Sequence, residues 1–380
     1  MSQYDLDELL STAVAQRASD IHLAPGAPPL MRLHSVLEPI HSGDVPLTNE
    51  WLQSSLFGIL SPGHREEFET NREVDLSYSI EGVARFRVNI YQEMHGIAAA
   101  FRPIPDAVIP LEQIGLPPII KELAMRPRGL VLVTGPTGSG KSTTLAAMID
   151  AINTERSAHI VTVEDPIEFV HRNKHSLINQ REVGSDTASF QEALRRVLRQ
   201  DPDVILIGEL RDLETMQVAM TAAETGHLVL GTLHTQGAAN AINRIVDAFP
   251  SHQQNQVRAQ LADTLQGVIS QSLVRKASGD GRVAATEIMV RTPAVANLIR
   301  EGQVAQLYSV LQTGSQAGMH TLDQELRRLV ESGSIEIHEA LRFVVDPQTL
   351  EHVVVRMTDE FDVENWVESE RARQAAGDLS

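Results

Sequence analysis

The chain has 380 residues, 42% of them apolar, a formal net charge of −18 and no cysteine. That length accommodates about two domains, and the missing thiols exclude disulfides, catalytic cysteines and cysteine-ligated zinc or iron–sulfur centres. The acidic balance repels a phosphate backbone, which argues against nucleic acid held by counterion release, and there is no apolar run of about 18 residues to span a bilayer.

The first ten residues, MSQYDLDELL, lack the basic and apolar regions of a signal peptide, as expected of a cytoplasmic chain. Leu6, Leu9, Leu10, Ala13 and Val14 fall on one helical face. Pro25, Gly26, Pro28 and Pro29 then break the chain before the strand-like PLMRLHSVLEPI. A second helix is expected from Asn49, with Thr48 as N-cap and Leu47 and Leu52 as a hydrophobic staple. From Glu73 the period changes to two. Val74, Leu76, Tyr78 and Ile80 alternate with polar residues, Glu81-Gly82 supplies a turn, and Phe86, Val88 and Ile90 alternate with Arg85, Arg87 and Asn89. This predicts a hairpin whose wet face carries two arginines. A further strand ending at Arg102 leads into RPIPDAVIP, a proline-rich linker. Residues 1–105 therefore read as a small α+β domain and 106–115 as the linker.

Beyond the linker, strands and helices alternate. LVLVTG, HIVTVED, DVILIGE and HLVLGTLHT are short apolar runs of the kind buried on both faces of a mostly parallel sheet. Helices are expected between them at 143–153, 187–200 and 213–225, the last closed by Gly226. The pattern from about 251 to 344 reads as helical, so an α/β domain with a helical C-terminal part would run over 116–347. From 348 the chain is an acidic tail, with eight acids against three arginines after residue 350, expected to be solvated and partly disordered.

The first of these strands runs into Gly135-Pro136-Thr137-Gly138-Ser139-Gly140-Lys141-Ser142-Thr143, which fills the G-x-x-x-x-G-K-[ST] phosphate-loop pattern between a strand and a helix. Glycines let backbone N–H groups approach phosphate oxygens, and the following helix adds its positive end. Lys141 would sit on the β- and γ-phosphates of ATP and the Ser142 hydroxyl on Mg²⁺. In such sheets ligands lie beyond the carboxyl ends of the strands. The next three strands end there in Glu164-Asp165, Gly208-Glu209 and His234-Thr235. Glu209 is the candidate to orient an attacking water. Gly208 stands where a metal-binding Asp is usual, so Glu164 becomes the second carboxylate, reaching Mg²⁺ through water or sharing the activation of water. His234 is suited to sense the γ-phosphate.

Structural roles compete with each assignment. Glu164 could belong to a strand-end turn, Glu209 could pair with Arg211 or Arg199, and His227 follows a helix C-cap where a hydrogen-bonding residue is locally useful. No arginine of the loop is aimed at the γ-phosphate. Arg85, Arg87 and Arg102 of the small domain are candidates to supply it from a neighbouring subunit.

Taken in order, GPTGSGKST, VEDPIEFVH, DPDVILIGELRD and TGHLVLGTLHT resemble the Walker A, Asp, Walker B and His boxes of the secretion ATPases that serve type II secretion and type IV pili. ASDIHLAPGAPPLMRL, ARFRVN, VISQSL, GRVAATEIM and NLIREGQ extend the likeness from Leu6 to about Leu341. The resemblance implies a PAS-like N-terminal domain, a RecA-like ATPase domain, a homo-hexameric ring and an inner-membrane platform protein as partner. It assigns Glu164 and Glu209 as the acidic pair, places His227 and His234 in the His box, and makes Arg85, Arg87 and Arg102 the arginines presented across the subunit boundary. Without cysteine the chain cannot carry the four-cysteine module typical of assembly ATPases, so the branch that retracts pili is expected. An accessory retraction ATPase, an assembly or secretion ATPase, a RecA-like nucleic-acid translocase and a nucleotide-gated scaffold are the alternatives. Two positions depart from the family pattern: Ala296 replaces an arginine in AVANLIRE, and Ser35 stands where glycine is common.

Overall fold

The computed structural model describes residues 4–33, 36–104, 108–346 and 348–350. Ser35, residues 106 and 107 of the stretch read as the linker, and the tail from 351 lie outside them. The described residues form two compact units. Those up to Val108 belong with Pro166–His171 in the first, and Ile109–Asp165 and the chain from Arg172 make up the second.

The first unit begins with α1 (Leu6–Ala15), capped by Asp5, whose side chain accepts the Glu8 N–H. Strands β1 (Asp20–Leu23), β2 (Leu30–Leu33) and β3 (Val36–Pro39) follow, so the expected single strand after the proline cluster is two antiparallel ones. Helix α2 (Asn49–Gly58) has the expected Thr48 cap, and Leu47 and Leu52 are both buried. Helix α3 (Pro62–Asn71) was not signalled by periodicity, because Phe68 is its single buried residue; Ser61 as cap and Pro62 at the first turn nucleate it. The predicted hairpin is β4 (Glu73–Ile80) with β5 (Ala84–Glu93), and β6 (Gly96–Ile104) completes a sheet ordered β3-β2-β1-β6-β5-β4. Its covered face packs Phe86 edge-on against Phe101, over Leu10, Ile21 and Leu52.

Short helices α4 (Leu111–Ile114) and α5 (Ile119–Ala124) open the second unit. Strand β7 (Gly129–Thr134) is buried throughout and feeds helix α6 (Lys141–Glu155). Then come β8 (His159–Glu164), β9 (Leu177–Glu182), α7 (Phe190–Val197), β10 (Val204–Ile207), α8 (Leu213–Glu224), β11 (Leu228–Leu233), α9 (Ala238–Asp247) and α10 (Gln254–Thr264). Strand β9 was not foreseen, and α7 is shorter than the helix expected there.

A larger correction concerns 251–344, read from sequence as helical. Two long strands, β12 (Leu265–Arg275) and β13 (Arg282–Val290), interrupt it, and β12 pairs in parallel with β7. Along the middle of β12 both faces are buried, so period-two alternation is absent and an apolar run of this kind resembles a buried helix. The sheet order is β13-β12-β7-β11-β10-β8-β9, with β13 alone antiparallel, the arrangement of a RecA-like ATPase core. Helices α11 (Pro293–Arg300), α12 (Leu307–Thr313), α13 (Leu322–Glu331) and α14 (Ile337–Leu341) finish the unit. Ala296 is buried on α11, where the longer arginine of the family pattern would need room. Leu350 packs with Leu326 and Leu329 of α13.

Candidate nucleotide site

The phosphate loop sits at the carboxyl end of β7. Gly138 and Gly140 have φ of +77° and +88°, a region that side chains with a Cβ enter only with strain. Gly135 is required for space, because a Cβ there would lie 2.3 Å from the Gln271 carbonyl oxygen. Lys141 opens α6 and is buried; its ammonium donates to the carbonyls of Gly135 at 2.8 Å and Pro136 at 3.0 Å, curling over the loop. The Ser139 hydroxyl is buried and makes no hydrogen bond. Left-handed glycines, an inward lysine and an unpartnered hydroxyl form a cradle suited to an anion.

Two strands away, β10 pairs with β8 so that Ile207 lies opposite Val163. The next residues are Gly208 and Glu164, and a Cβ on Gly208 would stand 3.3 Å from the Glu164 Cα and from the Val163 carbonyl. This close approach explains why the position before Glu209 holds glycine: the two strand ends bring both carboxylates to one edge of the sheet. Thr162 donates to Glu164 at 2.6 Å and Gln180, on the unforeseen β9, donates at 3.3 Å. Glu209 is about four-fifths covered; its carboxylate meets Arg211 Nε at 2.8 Å and His234 Nε2 at 3.3 Å. The expected Arg211 pair and the His234 contact therefore coexist. Thr232, on β11, donates to the Gly208 carbonyl, so β10 and β11 are locked where Glu209 and His234 emerge.

The two His-box histidines are not brought together. His227 precedes β11 and His234 follows it, so the whole strand separates them, about 20 Å. The His227 ring accepts or donates at Thr225 Oγ1 and contacts the Ala222 carbonyl at 3.0 Å, the bonding of a helix-cap residue. In the first unit Arg87 and Arg102 are cross-strand partners, and Arg85 is two residues from Arg87, so all three share the sheet face opposite Phe86 and Phe101. Arg102 makes two bonds to Asp20 Oδ1, at 2.9 and 2.7 Å, yet its side chain remains 68% exposed.

Among the described residues no cluster of three His, Asp or Glu is poised to hold a metal. Mg²⁺ nevertheless suits this edge, because it keeps most of its waters and is ordinarily held by one or two protein oxygens plus substrate phosphates. Ser142 and, through water, Glu164 and Glu209 are the oxygens available.

A profile of the family described as "Type II/IV secretion system protein" matches residues 2–343. The chain is 52% identical over 336 residues to the "Type IV pilus retractation ATPase PilT" of Pseudomonas aeruginosa, covering 88% of this chain and 97% of that protein. It is 49% identical over 339 residues to a "Twitching motility protein" of Neisseria gonorrhoeae, covering 89% and 90%. The crystal structure of the pilus retraction motor PilT with bound ADP superposes with a TM-score of 0.86 at 46% identity, covering 92% of this chain and all of that one. With the family profile spanning most of its length, this chain belongs to the type II/IV secretion system protein family.

Proposed function

We propose that the protein is an ATP-hydrolysing motor that powers retraction of a type IV pilus. The observation that carries this reading is the convergence of the phosphate loop, Glu164, Glu209 and His234 on one edge of a sheet, in a chain about half identical to a retraction ATPase over nearly all of that relative's length. ATP would lie with its phosphates against the backbone of 135–142, Lys141 on the β- and γ-oxygens and Thr143 in the first turn. The Ser142 hydroxyl would help hold Mg²⁺, which when bound would supply charge neutralisation on the transferred group. Glu209 orients the attacking water, and its bond to His234 holds that ring where it meets the γ-phosphate. Glu164, fixed by Thr162 and Gln180, is the second carboxylate.

Nothing within the loop neutralises the equatorial oxygens from the far side. Arg85, Arg87 and Arg102 suit that task when presented by a neighbouring copy, which favours a homo-oligomeric ring, a hexamer in this reading. His227 would serve the His box by holding the amino end of β11. No described helix is long and apolar enough to cross a membrane. In this reading the motor acts from the cytoplasm on an inner-membrane platform protein of the pilus machine, with an accessory ATPase as a further partner.

Deletion of the gene tests the reading. Cells are expected to keep abundant surface pili that do not retract; bald cells would identify an assembly motor instead. Full retraction in the deletion strain would demote the protein to an accessory role.

A further inference from the structure

Gln271 lies on β12, is 2% exposed, and turns its side-chain amide to the phosphate loop. Its nitrogen donates to the Ser139 carbonyl at 2.7 Å, and its oxygen accepts the Thr144 hydroxyl at 2.9 Å. The orientation of the amide is settled by chemistry, since a carbonyl can only accept and the nitrogen must face it. All three residues are buried, and the Ser139 hydroxyl itself makes no hydrogen bond. Gln271 also closes on the loop sterically: its backbone carbonyl excludes a Cβ from Gly135, and a Cβ on Gly140 would lie 3.1 Å from its Nε2.

Resting on the reading of this loop as the ATP phosphate site, we propose that Gln271 is a positioning residue that sets the loop for phosphate. In a trans peptide the C=O and the following N–H point in opposite directions. Drawing the Ser139 carbonyl inward therefore turns the Gly140 N–H outward, where an anion would lie. The second arm ties the same amide to Thr144 in the first turn of α6, so the loop and the helix end that flank the phosphate are held by one side chain. Rotation of this peptide would cost the buried Gln271–Ser139 hydrogen bond and aim a carbonyl oxygen at a phosphate.

Equilibrium titration of the full-length protein with a fluorescent ADP analogue tests this, alongside thermal melting and steady-state ATPase kinetics. Gln271→Met keeps the shape and removes both polar atoms. Its Kd is expected to rise about tenfold, the size of one lost buried hydrogen bond with its partner left unsatisfied. KM for ATP should follow Kd, while kcat changes by less than about threefold, because the loop binds ground and transition states alike. Thr144→Val removes one arm and should weaken binding about two- to threefold. A Gln271→Met protein that melts earlier but binds with the unaltered Kd would overturn the proposal, leaving Gln271 a packing residue. Should that variant not fold, an unchanged Kd in Thr144→Val overturns it equally. Failure of the unaltered protein to bind the analogue at all would instead remove the phosphate-site reading itself.

Discussion

Glu209 and His234 emerge from neighbouring strands with a carboxylate oxygen of the first 3.3 Å from Nε2 of the second. Glu209 also holds Arg211 at 2.8 Å, so its two oxygens are engaged on different partners. An acid that orients water must have one oxygen directed to the reacting edge, and the His234 contact provides that direction. Glu209→Gln preserves shape and both contacts in part but removes the carboxylate proposed to act on water. ATP turnover should fall at least about a hundredfold with nucleotide affinity nearly unchanged. Phosphate release at the unaltered rate would reassign the role to Glu164.

The arginine face of the first unit makes a prediction about assembly. Rings made only of Arg87→Ala and Arg102→Ala subunits should be slow, and rings made only of Glu209→Gln subunits should be inactive. If the arginines act on the neighbour's nucleotide, mixing the two kinds restores activity wherever an intact arginine face meets an intact Glu209. Mixtures no faster than the average of their parents would show that the arginines act within their own chain or not at all.

Gly208→Ala is expected to damage the site without touching nucleotide. The added methyl would sit 3.3 Å from the Glu164 Cα, tighter than comfortable contact, and must push the ends of β8 and β10 apart. Overpacking of this kind costs about 1–3 kcal/mol. A lowered melting temperature together with a reduced kcat is the expected result; a change in stability alone would mean the two carboxylates need not share their spacing.

His320 predicts a pH response. Burial lowers its pKa from the ordinary 6.5, against an opposing pull from Glu325, and its Nε2 meets Thr286 Oγ1 at 3.0 Å. The folded state thus binds this proton less readily than the unfolded chain. Its contribution to stability is complete above pH 6.5 and is lost as the pH falls from there through the lowered folded value. The slope from this one group is at most about 1.4 kcal/mol per pH unit. Chemical denaturation from pH 8 downwards should show the loss setting in near 6.5, flattened in His320→Gln.

Much of this molecule was legible in one dimension because the signals are local. The glycine spacing of the phosphate loop, the Thr48 cap and the alternation of β4 and β5 each depend on residues a few positions apart, where sterics and period decide the outcome. The order of apolar runs and the polar residue ending each also announced a parallel sheet with its site at one edge. What no local rule contains is which side chains meet. The sequence could not separate a helix from a strand in 265–275, since a strand buried on both faces loses its alternation. With that strand went Gln271, whose bond to Ser139 spans 132 residues. The close approach of Gly208 to Glu164 is likewise a consequence of strand pairing, which only the folded sheet decides.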